Sequence, residues 1–225
     1  MKNSICIIGA RQGSKRLPGK NRLHLGGKPL INYTLEAAQN SNLFNTIIFS
    51  TDDEVLLNSI PETEDLVIND RPSELADDKT TLFEVANYLI KEYKNYFNSC
   101  ASICFITPCH PFRTANHLKE AYHLFINKEC NSVISVTPYP TSINFSLRLE
   151  NGYIKKDWEG GVRKSEHPTT YYPNGALAFV KKHFFIENKS TYSRRTIPYI
   201  IPWPYSLDLD YEEDYLLAQK LIRVL

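Results

Sequence analysis

Short, largely apolar segments alternate with amphipathic segments along most of the chain. Apolar runs of this length are typical of strands buried in a parallel sheet, whereas apolar residues recurring every three or four positions indicate helices. The predicted strands are Ile5–Ile8, Thr46–Ser50, Leu66–Ile68, Ser102–Ile106, Ser132–Thr137 and Leu177–Val180. The predicted helices are Leu30–Gln39, Thr81–Phe97, Thr114–Asn127 and Tyr211–Leu225.

The helical segments carry recognisable faces and ends. The clearest helix, Thr81–Phe97, places six apolar residues on one face: Phe83, Ala86, Leu89, Ile90, Tyr93 and Phe97. In Thr114–Asn127 the inward residues are Leu118, Ala121, Tyr122 and Phe125. Pro29 suits the start of the first helix, and Asp210 with Glu213 has capping-box spacing at the start of the last.

The order of these elements predicts an α/β fold with a Rossmann-like, mostly parallel sheet sandwiched by helices. Residues 1–225 then form a single domain, in which ligands bind beyond the carboxyl ends of the strands. The alternation weakens after Pro138, so we expect an excursion of short strands and loops at about residues 138–170. Residues 199–207 are expected to be extended, because Pro198, Pro202 and Pro204 block a helix.

The composition and charge of the chain argue against several functional classes of protein. Apolar residues make up 42% of the chain, enough for a buried core, and the formal charge of +1 argues against a nucleic-acid binder with a strong basic field. There is no run of eighteen apolar residues, and Ile5–Ile8 is too short for a signal-peptide core. Five cysteines without a Cys-x-x-Cys pair argue against a disulfide framework and favour the cytoplasm.

The loop after the first predicted strand concentrates positive charge. Arg11, Lys15, Arg16 and Lys20 lie within ten residues of a loop that also contains glycine and serine. Backbone N–H groups and cations in such a loop suit phosphate oxygens. Neither the Walker pattern nor Gly-x-Gly-x-x-Gly is present. The alternative is a solvated basic surface loop.

Five motifs in order resemble those of the sugar nucleotidyltransferases, and most closely the acylneuraminate cytidylyltransferases of the sialic and legionaminic branch. The resemblance covers nearly the whole chain. The motifs are Ala10–Lys15 with Lys20–Asn21 and Gly26–Leu30, then Ser50–Asp53, Arg71–Asp78, Pro173–Ala176 and Ser206–Asp210.

The resemblance implies a cytidylyltransferase that moves CMP from CTP to the anomeric hydroxyl of a nine-carbon 2-keto acid sugar and releases pyrophosphate. The implied nucleotide contacts are Ala10, Arg11, Ser14, Lys15, Lys20, Asn21, Arg71, Thr81 and Thr107. The implied catalytic residues are Arg11, Lys15, Lys20, Asp208 and Asp210. An alternative for Arg71 is a surface ion pair with Glu74.

The implied metal is Mg²⁺, held by Asp208 and Asp210. One residue separates them, so on an extended segment both carboxylates point to one face, and carboxylate oxygens suit Mg²⁺. The alternative for Asp210 is a helix N-cap alone. Cys109 beside His110 suggests a nucleophile, but the reaction needs none, and adjacent side chains on an extended loop point apart.

Residues implied to face the sugar are His110, Arg113, Arg163, Tyr172, Asn174, Phe184 and Phe185. Six positions depart from the family pattern, namely Thr107 in place of a long amide, then Cys109, His110, Ser165, His167 and Tyr172. The resemblance also implies a homodimer, in which the aromatic pair borders the partner's sugar pocket. Core packing is the alternative for the two phenylalanines.

Two other functions stay open at this point. One is a nucleotidyltransferase of the same superfamily acting on Kdo, pseudaminate or a sugar phosphate, or using another base. The other is a non-catalytic nucleotide-binding protein on this fold. Neither a nucleic acid nor a membrane is expected as a partner.

Overall fold

A computed structural model describes residues 3–156 and 168–225. Strands β1 to β11 are Ser4–Ala10, His24–Leu25, Lys28–Pro29, Phe44–Thr51, Leu66–Asp70, Ser102–Ile106, Ser132–Pro138, Leu147–Glu150, Tyr153–Lys156, Tyr171–Lys181 and Thr196–Ile200. Helices α1 to α7 are Leu30–Ser41, Glu54–Ser59, Leu82–Glu92, Lys94–Asn98, Ala115–Asn127, Lys182–Asn188 and Glu212–Leu221.

Seven strands form one sheet in the order β11-β7-β10-β6-β1-β4-β5. Every neighbouring pair is parallel except those of β10, which runs antiparallel to β6 and β7. From β1 the chain proceeds to β4 and β5 on one side and then returns to β6 on the other. The carboxyl ends of β1 and β6 therefore flank a topological switch point, where sheets of this kind bind ligands. The predicted mostly parallel α/β fold is confirmed.

Helices cover both faces of the sheet, and the residues of β1 alternate between them. Cys6 and Ile8 belong to the buried cluster that includes residues of α1 and α5, while Ile5 and Ile7 belong to the cluster that includes residues of α3. The period of two along a strand explains this division. Six residues predicted to point inward are buried: Ala86, Leu89, Phe97, Leu118, Ala121 and Phe125.

The predicted helix Thr81–Phe97 is two helices, α3 and α4, separated at Tyr93. Tyr93 leaves helical geometry at φ −104° and ψ 41°, and its hydroxyl accepts a hydrogen bond from Asn69 of β5. Both helices keep apolar residues toward the sheet, so the apolar period continues through the break. The sequence carries neither proline nor glycine there to mark it.

The predicted cap of the last helix is wrong. Tyr211, not Asp210, is the N-cap of α7, and the Asp214 carboxylate rather than Glu213 accepts from the backbone N–H groups of Asp210 and Tyr211, at 3.0 and 2.8 Å. The carboxylate of Asp210 is therefore available to other groups.

The excursion after β7 contains a hairpin of β8 and β9 whose residues are all exposed. Its last part, residues 157–167, lies outside the described ranges. Strand β10 begins at Tyr171, earlier than predicted. Only the start of the segment 199–207 is a strand, because hydrogen bonds from Ser206 to Pro202 and from Leu207 to Pro204 turn the chain after β11. No helix in the described ranges is long and apolar enough to cross a membrane.

Candidate active site

A cavity of about 520 Å³ opens at the carboxyl ends of β1 and β6. Its lining combines the loop after β1, the loop after β6, and single acidic residues from two other segments. The lining residues are Gly9, Ala10, Arg11, Ser14, Lys15, Arg16, Lys20, Asn21, Asp78, Thr107, Pro108, Cys109 and Asp210. The structure thus brings together eight predicted site residues: Ala10, Arg11, Ser14, Lys15, Lys20, Asn21, Thr107 and Asp210.

Two hydrogen bonds fix the path of the loop after β1, one to a side chain outside the loop and one within it. The backbone N–H of Gln12 donates to the Asp52 carboxylate at 2.8 Å, which ties the loop to the end of β4. The buried Asn21 amide donates to the carbonyl of Arg11 at 3.1 Å. The loop therefore folds back over the cavity, and its cations are presented from a constrained backbone.

The four cations of this loop form two groups, each sharing one carboxylate. Arg11 contacts Asp78 at 2.6 Å, and Lys15 pairs with the same side chain. Arg16 contacts Asp210 at 2.7 Å and Lys20 contacts it at 3.2 Å. All four cations line one cavity, so this arrangement does not support the alternative of a dispersed, solvated basic surface.

Asp78 was not among the predicted site residues. The sequence did contain a signal for it, because Asp78 is the last residue of the motif Arg71–Asp78. The Arg11 guanidinium also donates to the carbonyl of Asp77 at 3.0 Å, so the motif and the basic loop meet at two points. Hydrogen bonds and charge from Lys15 and Arg11 lower the pKa of Asp78, which keeps its carboxylate ionised at neutral pH.

Asp208 lies next to the cavity but deeper than Asp210. Burial is the main cause that raises the pKa of Asp208, and the negative charge of Asp210 adds to it. Its Oδ1 atom is buried without a hydrogen-bond partner among the described residues. Such an atom is costly to bury, and the cost falls when a cation or donor approaches it.

The loop after β6 brings Cys109 and His110 beside Asp208. The Cys109 thiol donates to the Thr107 hydroxyl at 3.2 Å and lies 3.4 Å from His110 Nδ1. Burial, aided by Asp208, raises the pKa of Cys109 to about 12, so the thiol is protonated at neutral pH. Burial lowers the pKa of His110 to about 3, so the imidazole is neutral. This arrangement does not activate Cys109 as a nucleophile.

Arg113, which the resemblance implied to face the sugar, has its partners within the fold. Its side chain is 1% exposed, and its guanidinium donates to the carbonyls of Thr107 and Ala176 and to the hydroxyl of Thr34. Arg113 therefore positions the loop that contains Thr107. His110 is equally buried, and its Nδ1 faces Thr107 and Cys109, so this structure does not present it to a sugar either.

Asn174 also has partners within the fold. Its Oδ1 accepts from Ser135 at 2.5 Å and from the backbone N–H of Ala176 at 3.0 Å, and its Nδ2 donates to Thr137 at 2.9 Å. These bonds hold the irregularity in β10 between Pro173 and Ala178. Gly175 there has φ +77°, which glycine adopts without strain. Tyr172 is half-buried, with its ring 4.9 Å from the ring of Tyr139.

Arg71 and Thr81 do not line the cavity. The Arg71 guanidinium is buried and donates to the side chain and the carbonyl of Ser50, at 3.2 and 2.7 Å, rather than pairing with Glu74. Burial lowers the pKa of Arg71. It lies directly behind the cavity wall, since a Cβ at Gly9 would be 3.2 Å from Arg71 Nη2. Thr81 caps α3 through reciprocal hydrogen bonds with Glu84.

Phe184 and Phe185 lie in helix α6. Phe185 is fully buried, and its ring packs against Phe83 and Phe105 at centroid distances of 5.7 and 5.2 Å. It therefore belongs to the core of its own subunit and cannot line a partner's pocket. Phe184 is half-buried. Arg163 lies outside the described residues.

Comparison with known proteins is consistent with this geometry. The family model described as "Cytidylyltransferase" matches residues 5–220. An N-acylneuraminate cytidylyltransferase from Streptococcus agalactiae is 32% identical over 220 residues, which cover 94% of this chain and 51% of that protein. A CMP-N,N'-diacetyllegionaminic acid synthase from Legionella pneumophila is 30% identical, covering 98% of this chain and 96% of that protein.

The fold has close counterparts among solved structures. A CMP:2-keto-3-deoxy-manno-octonic acid synthetase complexed with CTP superposes with a TM-score of 0.70 at 12% identity, covering 99% of both chains. At that identity the likeness concerns the fold alone. The chain spans about half the length of the first N-acylneuraminate cytidylyltransferase relatives that it matches.

Proposed function

The chain belongs to the cytidylyltransferase family, and on that premise we propose that it moves CMP from CTP to the anomeric hydroxyl of a nine-carbon 2-keto acid sugar. The sugar is of the N-acylneuraminate or legionaminate type, and pyrophosphate is the second product. The observation that carries the proposal is the convergence of Arg11, Lys15, Arg16 and Lys20 on one cavity at the switch point of the sheet.

The cations of the cavity suit the charge that the reaction develops. Transfer of a nucleotidyl group releases pyrophosphate, whose negative charge grows in the transition state. Lys20, Arg11 and Lys15 are held near the cavity before any substrate arrives, so they stabilise that charge with little rearrangement. Attack by the sugar hydroxyl on the α-phosphate is direct, consistent with the protonated state of Cys109.

Asp208 and Asp210 fit a magnesium ion. Carboxylate oxygens are the ligands that this cation prefers, and the buried Oδ1 of Asp208 has no hydrogen-bond partner in the described part of the chain. Mg²⁺ bound there would polarise phosphate oxygens. Lys20 and Arg16 contact Asp210 and hold its carboxylate at the cavity wall.

We propose that the reaction takes place in the cytoplasm, where thiols stay reduced. The five cysteines, Cys6, Cys100, Cys104, Cys109 and Cys130, are all free.

A pyrophosphate-release assay tests the function. Purified protein is incubated with Mg²⁺, each of the four ribonucleoside triphosphates and a panel of 2-keto acid sugars. We expect release with CTP and an N-acylneuraminate or legionaminate. Release only with Kdo, pseudaminate or a sugar phosphate, or with another triphosphate, would assign the chain to another member of the superfamily. Nucleotide binding without release would indicate a non-catalytic protein.

Asp78 is expected to compete with the nucleotide phosphates. It pairs with both Arg11 and Lys15, and the side chains of these cations are 35% and 79% exposed. An exposed ion pair contributes about 0.2–1 kcal/mol, so Asp78→Asn should lower the KM for CTP by up to about fivefold. The matched control is Glu74→Gln, an exposed acidic residue of the same motif. A KM raised by Asp78→Asn would instead show that Asp78 positions the two cations.

We also propose that the excursion at about 138–170 mediates a homodimer. Its hairpin exposes Leu147, Leu149, Tyr153 and Ile154, each more than half accessible to solvent. Apolar residues in such number on a hairpin are typical of a surface that another subunit covers. Light scattering at micromolar concentration should give twice the mass of the chain, and Leu149→Lys should shift the population to monomer. A monomeric, fully active wild-type protein would contradict this proposal.

Substitutions at Phe184 and Phe185 form a matched pair that tests the proposed sugar pocket shared between subunits. We expect Phe184→Ala to raise the KM for sugar and to leave the KM for CTP unchanged, since half-buried Phe184 can still reach a neighbour. Phe185→Leu alters only core packing and should lower the free energy of unfolding by about 0.5–3 kcal/mol without a selective effect on either KM. Steady-state kinetics and thermal unfolding separate these outcomes; equal KM changes for both substrates in Phe184→Ala would contradict the pocket assignment.

A further inference from the structure

Three side chains with different donor atoms meet where the loop after β6 approaches residue 208. Cys109 Sγ, a ring nitrogen of His110 and a carboxylate oxygen of Asp208 all lie within 4.8 Å of one another. His110 is 1% exposed, and the Asp208 Oδ1 atom is buried without a partner among the described residues. Cys109 and His110 are also two of the positions at which this sequence departs from the family pattern.

The distances suit one tetrahedral ion. Zinc–sulfur bonds of about 2.3 Å and zinc–nitrogen bonds of about 2.0–2.1 Å place sulfur and nitrogen roughly 3.6 Å apart across a tetrahedral angle. Cys109 Sγ and His110 Nδ1 are 3.4 Å apart. The two donors therefore already stand at nearly the required separation, and Asp208 supplies a third donor by small side-chain movements.

The charges of the cluster suit a divalent cation as well. A thiolate and a carboxylate carry two negative charges, which one divalent ion neutralises in a place where unpaired charge is costly. A ring nitrogen of His110 adds a donor atom that carries no negative charge. The Thr107 hydroxyl, which now accepts from the thiol, can rotate to donate to a thiolate.

We propose that Cys109, His110 and Asp208 form a binding site for zinc or a similar transition-metal ion, distinct in chemistry from an all-oxygen magnesium site. Binding forms a metal–sulfur bond and releases the thiol proton to solvent. Three protein ligands leave one position open. Zinc binding does not depend on the proposed function, but it takes Asp208 away from Mg²⁺, so occupation of this site inhibits cytidylyl transfer.

Metal binding is measured directly on the metal-free, untagged full chain without nucleotide. We expect one equivalent of Zn²⁺ to bind in calorimetry. Co²⁺ should bind with an ultraviolet charge-transfer band, which only a cobalt–thiolate bond produces. Cys109→Ser should abolish the band and weaken zinc binding by at least about tenfold, a change on the scale by which lost metal-site contacts alter affinity. Cys130→Ser is the matched control, because Cys130 is buried, does not line the cavity, and its thiol donates to the carbonyl of Phe125.

Wild-type protein saturated with Co²⁺ but lacking the charge-transfer band overturns the proposal, whatever the fate of any variant. Zinc binding that Cys109→Ser retains in full also overturns it, because the ion would then sit elsewhere. A final arm adds Zn²⁺ to the pyrophosphate-release assay, where the zinc concentration that halves the rate should be higher for Cys109→Ser than for wild type, each compared with its own zinc-free rate. Absence of any turnover in that assay contradicts the proposed function only, since the binding measurements stand independently.

Discussion

Asp208→Asn is expected to lower kcat for pyrophosphate release on the order of 10³-fold, about 4 kcal/mol of transition-state stabilisation. The amide keeps the shape of the side chain but loses the anionic oxygen that a hard cation prefers. Asp210→Asn should lose most turnover as well, because Lys20 and Arg16 both contact that carboxylate. The measurement is kcat as a function of Mg²⁺ concentration for each variant.

The fold should survive both substitutions. The Oδ1 atom of Asp208 is buried without a partner among the described residues, so neutralising the side chain relieves part of the cost of burying its charge. Thermal unfolding should therefore stay near wild type for Asp208→Asn. Glu213→Gln, an exposed acidic residue on α7, is the matched control and should keep normal turnover. Near-normal rates for both aspartate variants would show that these residues do not hold the metal.

Lys20→Ala and Arg11→Ala should each cost about 2–4 kcal/mol in kcat/KM for CTP, the scale of losing one preorganised electrostatic partner. Lys20 is the less exposed of the two and contacts Asp210, so its position is the better fixed. We expect the larger loss for Lys20→Ala. Steady-state kinetics with CTP varied at saturating sugar gives both values.

The control is substitution of the exposed Lys91 of α3. Replacing it with alanine removes the same charge from a helix that does not line the cavity. Lys91→Ala should change kcat/KM little. Similar values for all three variants would return the loop after β1 to the interpretation of a solvated basic surface. A loss confined to Arg11→Ala would indicate that Lys20 serves only to hold Asp210.

Patterns local to the chain determined most strands of the main sheet and the longer helices, with their order. The apolar run Ile5–Ile8 and the period of Thr114–Asn127 predicted β1 and α5 because burial of one strand or one helix face leaves its period in the sequence. The same reasoning could not see the break at Tyr93, where the apolar period continues through the irregularity. Nor could it choose between Asp210 and Tyr211 as the cap, since hydrogen bonds of Asp214 decide it.

For the candidate site, too, the sequence showed some features and only the folded structure showed the others. The sequence by itself determined the basic loop and the paired aspartates, because charge clustered in a few residues is visible without a fold. Only the tertiary structure decided that Arg113 and Phe185 are buried, that Asp78 faces Arg11, and that Cys109 approaches Asp208. These contacts join residues far apart in the chain, which only the folded sheet and its connecting segments bring together. Side-chain type fixes what a residue can do, but burial and neighbours, which only the fold supplies, fix what it does.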